Sequence, residues 1–217
     1  MSAAGRSRGL LLTFEGPEGS GKTTLIENLA DRLRAAGVEP VLLREPGGTA
    51  IGERIRDILL DRASGGMCPE TELLLMVASR AQLVREAIRP ALAEGRIVLC
   101  DRFADASVAY QGGGRELGAT AVHPLNAFAL GGLLPDLTFL CLLPPEEGQA
   151  RLRGRETNRL DHEELAFHRR VLAAYRALAE GGDPRFRVID AAQPPDGMLR
   201  QVLAILSELE HALLKHL

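Results

Sequence analysis

Gly16-Pro17-Glu18-Gly19-Ser20-Gly21-Lys22-Thr23 fits the phosphate-binding pattern of Gly, four residues, then Gly-Lys-Ser/Thr. Its flanks decide whether the match has meaning. In front, Leu10 to Phe14 is an apolar run of the length of a buried strand. Behind, Leu25, Ile26, Leu29 and Leu33 recur at helical spacing, and Gly37 is placed to end that helix. Strand, Gly-rich loop and helix stand in the order that a nucleoside-triphosphate site needs. Glycines let the backbone wrap phosphate oxygens with N–H groups pointing inward. Lys22 then reaches the β- and γ-phosphates, the Thr23 hydroxyl ligates Mg²⁺, and the helix N-terminus favours the negative charge. The expected ATP-binding residues here are Gly16, Glu18, Gly19, Ser20, Gly21, Lys22, Thr23 and Thr24.

Further along, Val41-Leu42-Leu43 reads as a second buried strand, with Arg44 in the loop at its C-terminal end, where open α/β sheets bind ligands. Ile51, Ile55, Ile58 and Leu59 suggest a short helix, and 61–68 a loop. Pro69 opens a helical region to about Gly95, broken or kinked at Pro90. On it Met76 and Arg80 share a face, and a buried guanidinium there requires a partner. Arg96 to Cys100 is a third strand with Asp101-Arg102 at its end. Ser107, Tyr110 and Gln111 then fall on one helical face, which Gly112-Gly113-Gly114 is expected to end. A helix is expected from Pro124 to Leu130, a central strand from Leu137 to Leu143 and a helix from Pro144. Arg151, Arg153, Arg155 and Arg159 crowd into nine residues, either a solvated basic face or a mobile lid bringing cations to a transferring phosphate. Asp161 and Glu164 suggest a capping box for a helix burying Leu165, Val171, Leu172, Tyr175 and Leu178. Phe186 to Ile189 is a fifth strand and 198–214 a last helix. Such alternation predicts one α/β domain over 1–217, a parallel sheet with helices on both faces.

The 217 residues, 46% hydrophobic and 25% charged, suit one globular domain. A formal charge of −3 offers no general attraction for nucleic acid. No apolar run approaches the ~20 residues that span a bilayer, and Leu10 to Phe14 is too short for a signal-peptide core. Residues 1–8 are polar and expected to be flexible. Three scattered cysteines, Cys68, Cys100 and Cys141, have no metal or redox spacing, and a reduced cytoplasm is expected. With no Asn-Lys-x-Asp guanine reader, the pattern points to a compact kinase of nucleotides or metabolites rather than a GTPase.

Four stretches in this order resemble the bacterial thymidylate kinases. They are Phe14 to Thr24, Arg44-Glu45-Pro46-Gly47-Gly48-Thr49, Ser79-Arg80-Ala81-Gln82, and Asp101-Arg102-Phe103 through Ser107-Val108-Ala109-Tyr110-Gln111-Gly112. The resemblance implies a P-loop nucleoside-monophosphate-kinase-like three-layer fold with a five-stranded parallel sheet and a short lid at about 150–161. It also implies Mg²⁺-dependent transfer of the ATP γ-phosphate to dTMP, forming dTDP and ADP for dTTP synthesis, by a homodimer. By the same resemblance Glu18 contacts the 3′-hydroxyl, Arg44 and Arg102 hold the acceptor phosphate, and Asp101 lies beside the metal. Arg80 and Ser107 bond the thymine edge, and Tyr110 crowds the 2′ position with Gln111 nearby. Arg153 and Arg155 supply lid cations, and the loop with Ala192 lies along adenine.

Some positions depart from the family pattern. Met76 stands where a stacking Phe is usual, Phe103 for Tyr, Ala106 for Ser, and Leu142 for Asp. These bear on base preference rather than phosphate chemistry. A kinase of another deoxynucleoside monophosphate, an idle nucleotide-binding module and a nucleic-acid-dependent ATPase are the alternative readings.

Overall fold

The computed structural model describes residues 8–154, 159–209 and 211–214. The expected flexibility of residues 1–8 thus falls, apart from Arg8, outside the described residues. The sheet has five parallel strands: β1 (Leu10–Glu15), β2 (Val41–Arg44), β3 (Ile97–Asp101), β4 (Leu137–Leu142) and β5 (Phe186–Asp190), in the order β2-β3-β1-β4-β5. Every residue of β1 is buried because strands flank it and helices cover both of its faces. Period-two alternation sends Leu10, Leu12 and Phe14 into one core with α1 (Lys22–Ala35) and α9 (Pro195–Ser207). Leu11 packs on the opposite face, which it shares with Thr13 and Glu15 by the same alternation. The expected α/β architecture and strand count are therefore observed.

Several local expectations need correction. β2 is an edge strand, alternating half-buried and exposed, with Leu42 42% exposed. A continuous apolar run does not distinguish an edge from a centre. α2 (Ala50–Leu60) forms as expected, but Ile51 and Ile58 face outward. The long helical region is α3 (Pro69–Leu83), a wide π-helical turn (Val84–Ile88) and α4 (Arg89–Ala93). Pro90 sits in the first turn of α4, where its missing N–H costs little.

The glycine triplet does not end the helix that carries Ser107, Tyr110 and Gln111. After α5 (Ala104–Ser107) the chain continues as a π-helical segment through Gly114. The glycines permit close approach: a Cβ on Gly113 would lie 2.7 Å from Ala174, and one on Gly114 2.6 Å from Phe167. Both partners belong to α8 (Leu165–Glu180). α6 (Ala119–Leu130) begins five residues before Pro124, which it carries in its interior.

α7 (Pro145–Leu152) follows β4. The Asp161–Glu164 capping box is not formed. Asp161 lies in a 3₁₀ turn (Arg159–His162), and Glu164 itself is the N-cap of α8. Arg159 and Leu160 are buried and pin that turn, which fixes where the helix begins. Of the residues expected inside, Val171, Leu172 and Tyr175 are buried, while Leu165 and Leu178 are partly so. α9 stops at Ser207, and 212–214 is a separate 3₁₀ turn.

The packing at Gly114 generates a test. Gly114→Ala drives a methyl into Phe167 and Val171, so we expect a loss of about 1–3 kcal/mol, read as a lowered urea midpoint with an unchanged slope.

Candidate active site

The P-loop spans the end of β1 and the start of α1. Gly19 and Gly21 hold positive φ of 72° and 82°, a region that strains other residues. Gly19 also lies against α7, where a Cβ would come within 2.3 Å of the Gly148 carbonyl oxygen. Lys22 is buried, and its Nζ donates to the carbonyls of Gly16 (3.0 Å) and Pro17 (2.8 Å) and to Ser20 Oγ (3.2 Å). Burial, then the neighbouring Arg102, lower its pKa.

Parallel pairing sets Phe14 opposite Asp101, so the end of β3 stands beside the loop. There Thr23 Oγ1 donates to Asp101 Oδ2 at 2.8 Å. Hydroxyl and carboxylate are hard oxygen donors, the type that Mg²⁺ accepts alongside water and phosphate oxygens. Among the described residues no cluster of three or more His, Cys, Asp or Glu forms a self-sufficient cage. A cation held jointly by this pair and nucleotide phosphates fits that donor set.

Arg102 takes a left-handed backbone (φ 67°), a conformation that costs of order 1–3 kcal/mol and persists only when neighbours enforce it. Its Nη2 donates to Glu18 Oε1 at 2.6 Å, its Nη1 to the Gly16 carbonyl at 2.9 Å, and the guanidinium lies 4.8 Å over the Tyr110 ring. The Tyr110 hydroxyl donates to the same Glu18 oxygen at 3.2 Å. Burial pushes the Glu18 carboxyl up, but Arg102, Lys22 and Tyr110 outweigh it and hold the carboxyl below its ordinary value.

One cavity of about 430 Å³ joins these groups, floored by Glu18 to Thr24 and walled by Arg44, Met76, Arg80, Ser107, Tyr110 and Gln111. Arg44 is half exposed and paired with Glu53 at 2.8 Å. Arg56 also lines the cavity and donates to the Pro46 carbonyl at 2.8 Å. Burial, followed by Arg44, lowers its pKa, with Glu53 and Asp101 opposing and Arg102 adding to the fall. The guanidiniums of Arg44, Arg56 and Arg102 are therefore close enough to act on one another. The sequence pattern does not single out Arg56, because the signal for α2 is the apolar spacing of Ile51, Ile55, Ile58 and Leu59.

Arg80 is 1% exposed and commits all five N–H groups: two to Glu45 Oε2 (2.8 and 2.6 Å), and one each to Ser107 Oγ (3.1 Å), Asn126 Oδ1 (2.6 Å) and the Phe103 carbonyl (3.0 Å). The partner demanded by a buried guanidinium is thus Glu45, a residue quoted in the motif but given no role. Gln111 lines the cavity with its Nε2 fixed on buried Glu72 at 2.8 Å.

Arg159 departs from its expected place among lid cations. It is buried, donates to the Leu59 carbonyl (3.0 Å) and pairs with Glu72 (2.6 Å), which Arg115 also engages (2.9 Å). A guanidinium so partnered is an anchor. Arg151 likewise donates to the Ala191 carbonyl at 2.9 Å. Arg153, at the end of α7, is exposed, and Arg155 lies outside the described residues. Ala192 is exposed, its N–H on Asp190 (3.0 Å), and is not part of the cavity wall.

P-loop, parallel sheet and an adjoining arginine-lined cavity define the class of P-loop phosphotransferases acting on small acceptors. Comparison narrows this. The thymidylate kinase family pattern matches residues 14–202. The chain is 50% identical over 200 residues to a thymidylate kinase of Desulfovibrio desulfuricans, covering 88% of this chain and 92% of that one. It is 51% identical to one from Thermomicrobium roseum (91% and 94% covered) and 48% to one from Deinococcus radiodurans (94% and 100%). The chain belongs to the thymidylate kinase family.

The Arg80–Glu45 pair carries a stability test. Burial raises the Glu45 carboxyl above its ordinary value, with Arg80 opposing. A raised folded-state pKa contributes stability at low pH that is lost as pH rises through it. Arg80→Met removes the opposing charge, so at pH 8 we expect a cost of about 3–5 kcal/mol. Chemical denaturation should show that cost shrinking toward pH 5 as Glu45 takes up a proton.

Proposed function

We propose that this chain transfers the γ-phosphate of ATP to dTMP, giving dTDP and ADP. The observation that carries the reading is one cavity whose lining joins the P-loop to the guanidiniums of Arg44, Arg56 and Arg102. Phosphoryl transfer needs alignment and neutralisation of charge more than covalent catalysis. Backbone N–H groups of Gly19 to Thr24 and the Lys22 ammonium cradle the donor phosphates. Mg²⁺ held by Thr23 and Asp101 would neutralise charge on them. Arg102, aided by Arg44 and Arg56, holds the acceptor phosphate, and Glu18 with Tyr110 faces the sugar. Exposed Arg153, and Arg155 beyond the described residues, supply the lid cations in this reading.

The base meets Met76, Ser107 and Gln111. Met76 offers a polarisable thioether to the ring. Any bond from Arg80 to the base edge must share or displace one of its five existing bonds, so its main effect is to orient Ser107. The adenine side of the reading, including Ala192, rests on the resemblance.

We also read the protein as a cytoplasmic homodimer. Free Cys68, Cys100 and Cys141 support a reducing compartment, and no described helix is long and apolar enough to cross a membrane. Ile51 and Ile58 on α2, Leu74 on α3 and Phe128 on α6, the last 84% exposed, support pairing through helices; α3 packs on both α2 and α6. Light scattering should give twice the chain mass, and Leu74→Asp with Phe128→Asp should halve it. A wild-type monomer removes this part of the reading.

The reaction is tested by coupled ADP release with Mg-ATP and dTMP, dUMP, dCMP, dGMP or UMP. We expect dTMP to give the highest kcat/KM, and Arg102→Ala to lower it by roughly 100-fold or more, as for a preorganised charge stabiliser. Preference for another monophosphate would overturn the base assignment; no acceptor-dependent turnover would leave a nucleotide-binding module.

A further inference from the structure

Glu15, the last residue of β1, is fully buried although it is an acid. Alternation along the strand turns it away from the α1 core toward α5 and α8. There its Oε1 accepts from the N–H of Phe103 (2.7 Å) and of Ala106 (3.2 Å), and its Oε2 from the Tyr175 hydroxyl (2.8 Å). The Tyr175 hydroxyl in turn accepts from Arg102 Nη1 at 3.4 Å. Phe103 is the residue after Arg102, so one carboxyl grips that arginine from its backbone side and from its guanidinium side. The residues flanking Glu15 complete the hold: Arg102 N–H donates to the Phe14 carbonyl (2.9 Å) and Arg102 Nη1 to that of Gly16 (2.9 Å).

We propose that Glu15 is a positioning residue for the acceptor clamp, enforcing the left-handed backbone of Arg102 and aiming its guanidinium across the P-loop. The proposal rests on the phosphotransfer reading above and adds a residue that touches neither nucleotide.

The surroundings favour a neutral group. Burial, then Asp105, push the Glu15 carboxyl up to about 8, against Arg102, Tyr175 and the Phe103 N–H. Asp105 is itself fixed by Arg185 (2.6 and 2.8 Å), and the buried Cys100 and Cys141 thiols bring no positive charge. Glutamine, neutral and of the same shape, keeps an acceptor for Phe103 and Ala106 and a polar partner for Tyr175. Alanine keeps nothing.

The test is steady-state kinetics with Mg-ATP and dTMP on Glu15→Ala, Glu15→Gln and Tyr175→Phe, each in wild-type and Arg102→Lys backgrounds, with circular dichroism confirming the fold. Loss of hydrogen bonds that hold a charged group predicts about a tenfold fall in kcat/KM for dTMP in Glu15→Ala, with KM for ATP unchanged. Glu15→Gln should recover most of it. In Arg102→Lys, whose clamp is already lost, Glu15→Ala should cost less than about twofold, the non-additivity of groups acting as one unit. Equal losses in both backgrounds, equal effects on both substrates, or no recovery by glutamine overturn the proposal. If Glu15→Ala does not fold, Tyr175→Phe decides: about a threefold acceptor-side loss that vanishes in Arg102→Lys is expected, and its absence or its persistence there is the overturning result. A wild-type enzyme inactive on dTMP would sink the functional reading instead, which keeps the two failures distinct.

Discussion

The parallel register of β1 with β3, with Phe14 opposite Asp101, is the constraint on which the site depends. It fixes the end of β3 against the P-loop at backbone precision, before any side chain is placed. Thr23 then meets Asp101, and Arg102 reaches across to the Gly16 carbonyl and Glu18. The cavity wall at this point is therefore built from adjacent strand termini, not from loops free to drift. Phosphoryl transfer draws its rate from alignment and fixed charge, and strands supply both better than flexible connections.

Around this frame guanidiniums are buried or partly buried, each facing a carboxylate: buried Arg80 with Glu45 and Arg159 with Glu72, partly buried Arg102 with Glu18 and Arg185 with Asp105. Removing a charge from water is costly, and a buried pair is a poor source of net stability. Its value lies in orientation. A guanidinium with all five donors assigned has one pose, and the Ser107 hydroxyl bonded to it has little freedom left. The site is thus preorganised by groups that are themselves already satisfied.

The P-loop, the five strands and most of the cavity lining were legible in the sequence because they carry short-range signals: glycine spacing, apolar runs and residues at strand ends. What escaped was set by long-range packing. Arg56 shows no local pattern that separates it from a solvated helix arginine. Glu72 becomes a junction only when α3, the π-helical segment and the turn before α8 come together. Arg159 looked like a lid cation because a basic run reads as exposed, and only Glu72 turns it inward. Gly113 and Gly114 looked like a stop signal because glycine weakens helices, whereas here it admits α8. The Asp161 capping box failed for a similar reason, since buried Arg159 and Leu160 commit Asp161 to a 3₁₀ turn.

The meeting of Gly19 with Gly148 has a consequence for how this chain can diverge. A Cβ on Gly19 would strike the Gly148 carbonyl oxygen, and one on Gly148 would fall 2.3 Å from the Glu18 carbonyl oxygen. The obstacles are backbone atoms, which no change of rotamer relieves. Although far apart in the sequence, the two positions behave as one hereditary unit, and a substitution at either is open only to lineages that have first moved α7 away from the loop.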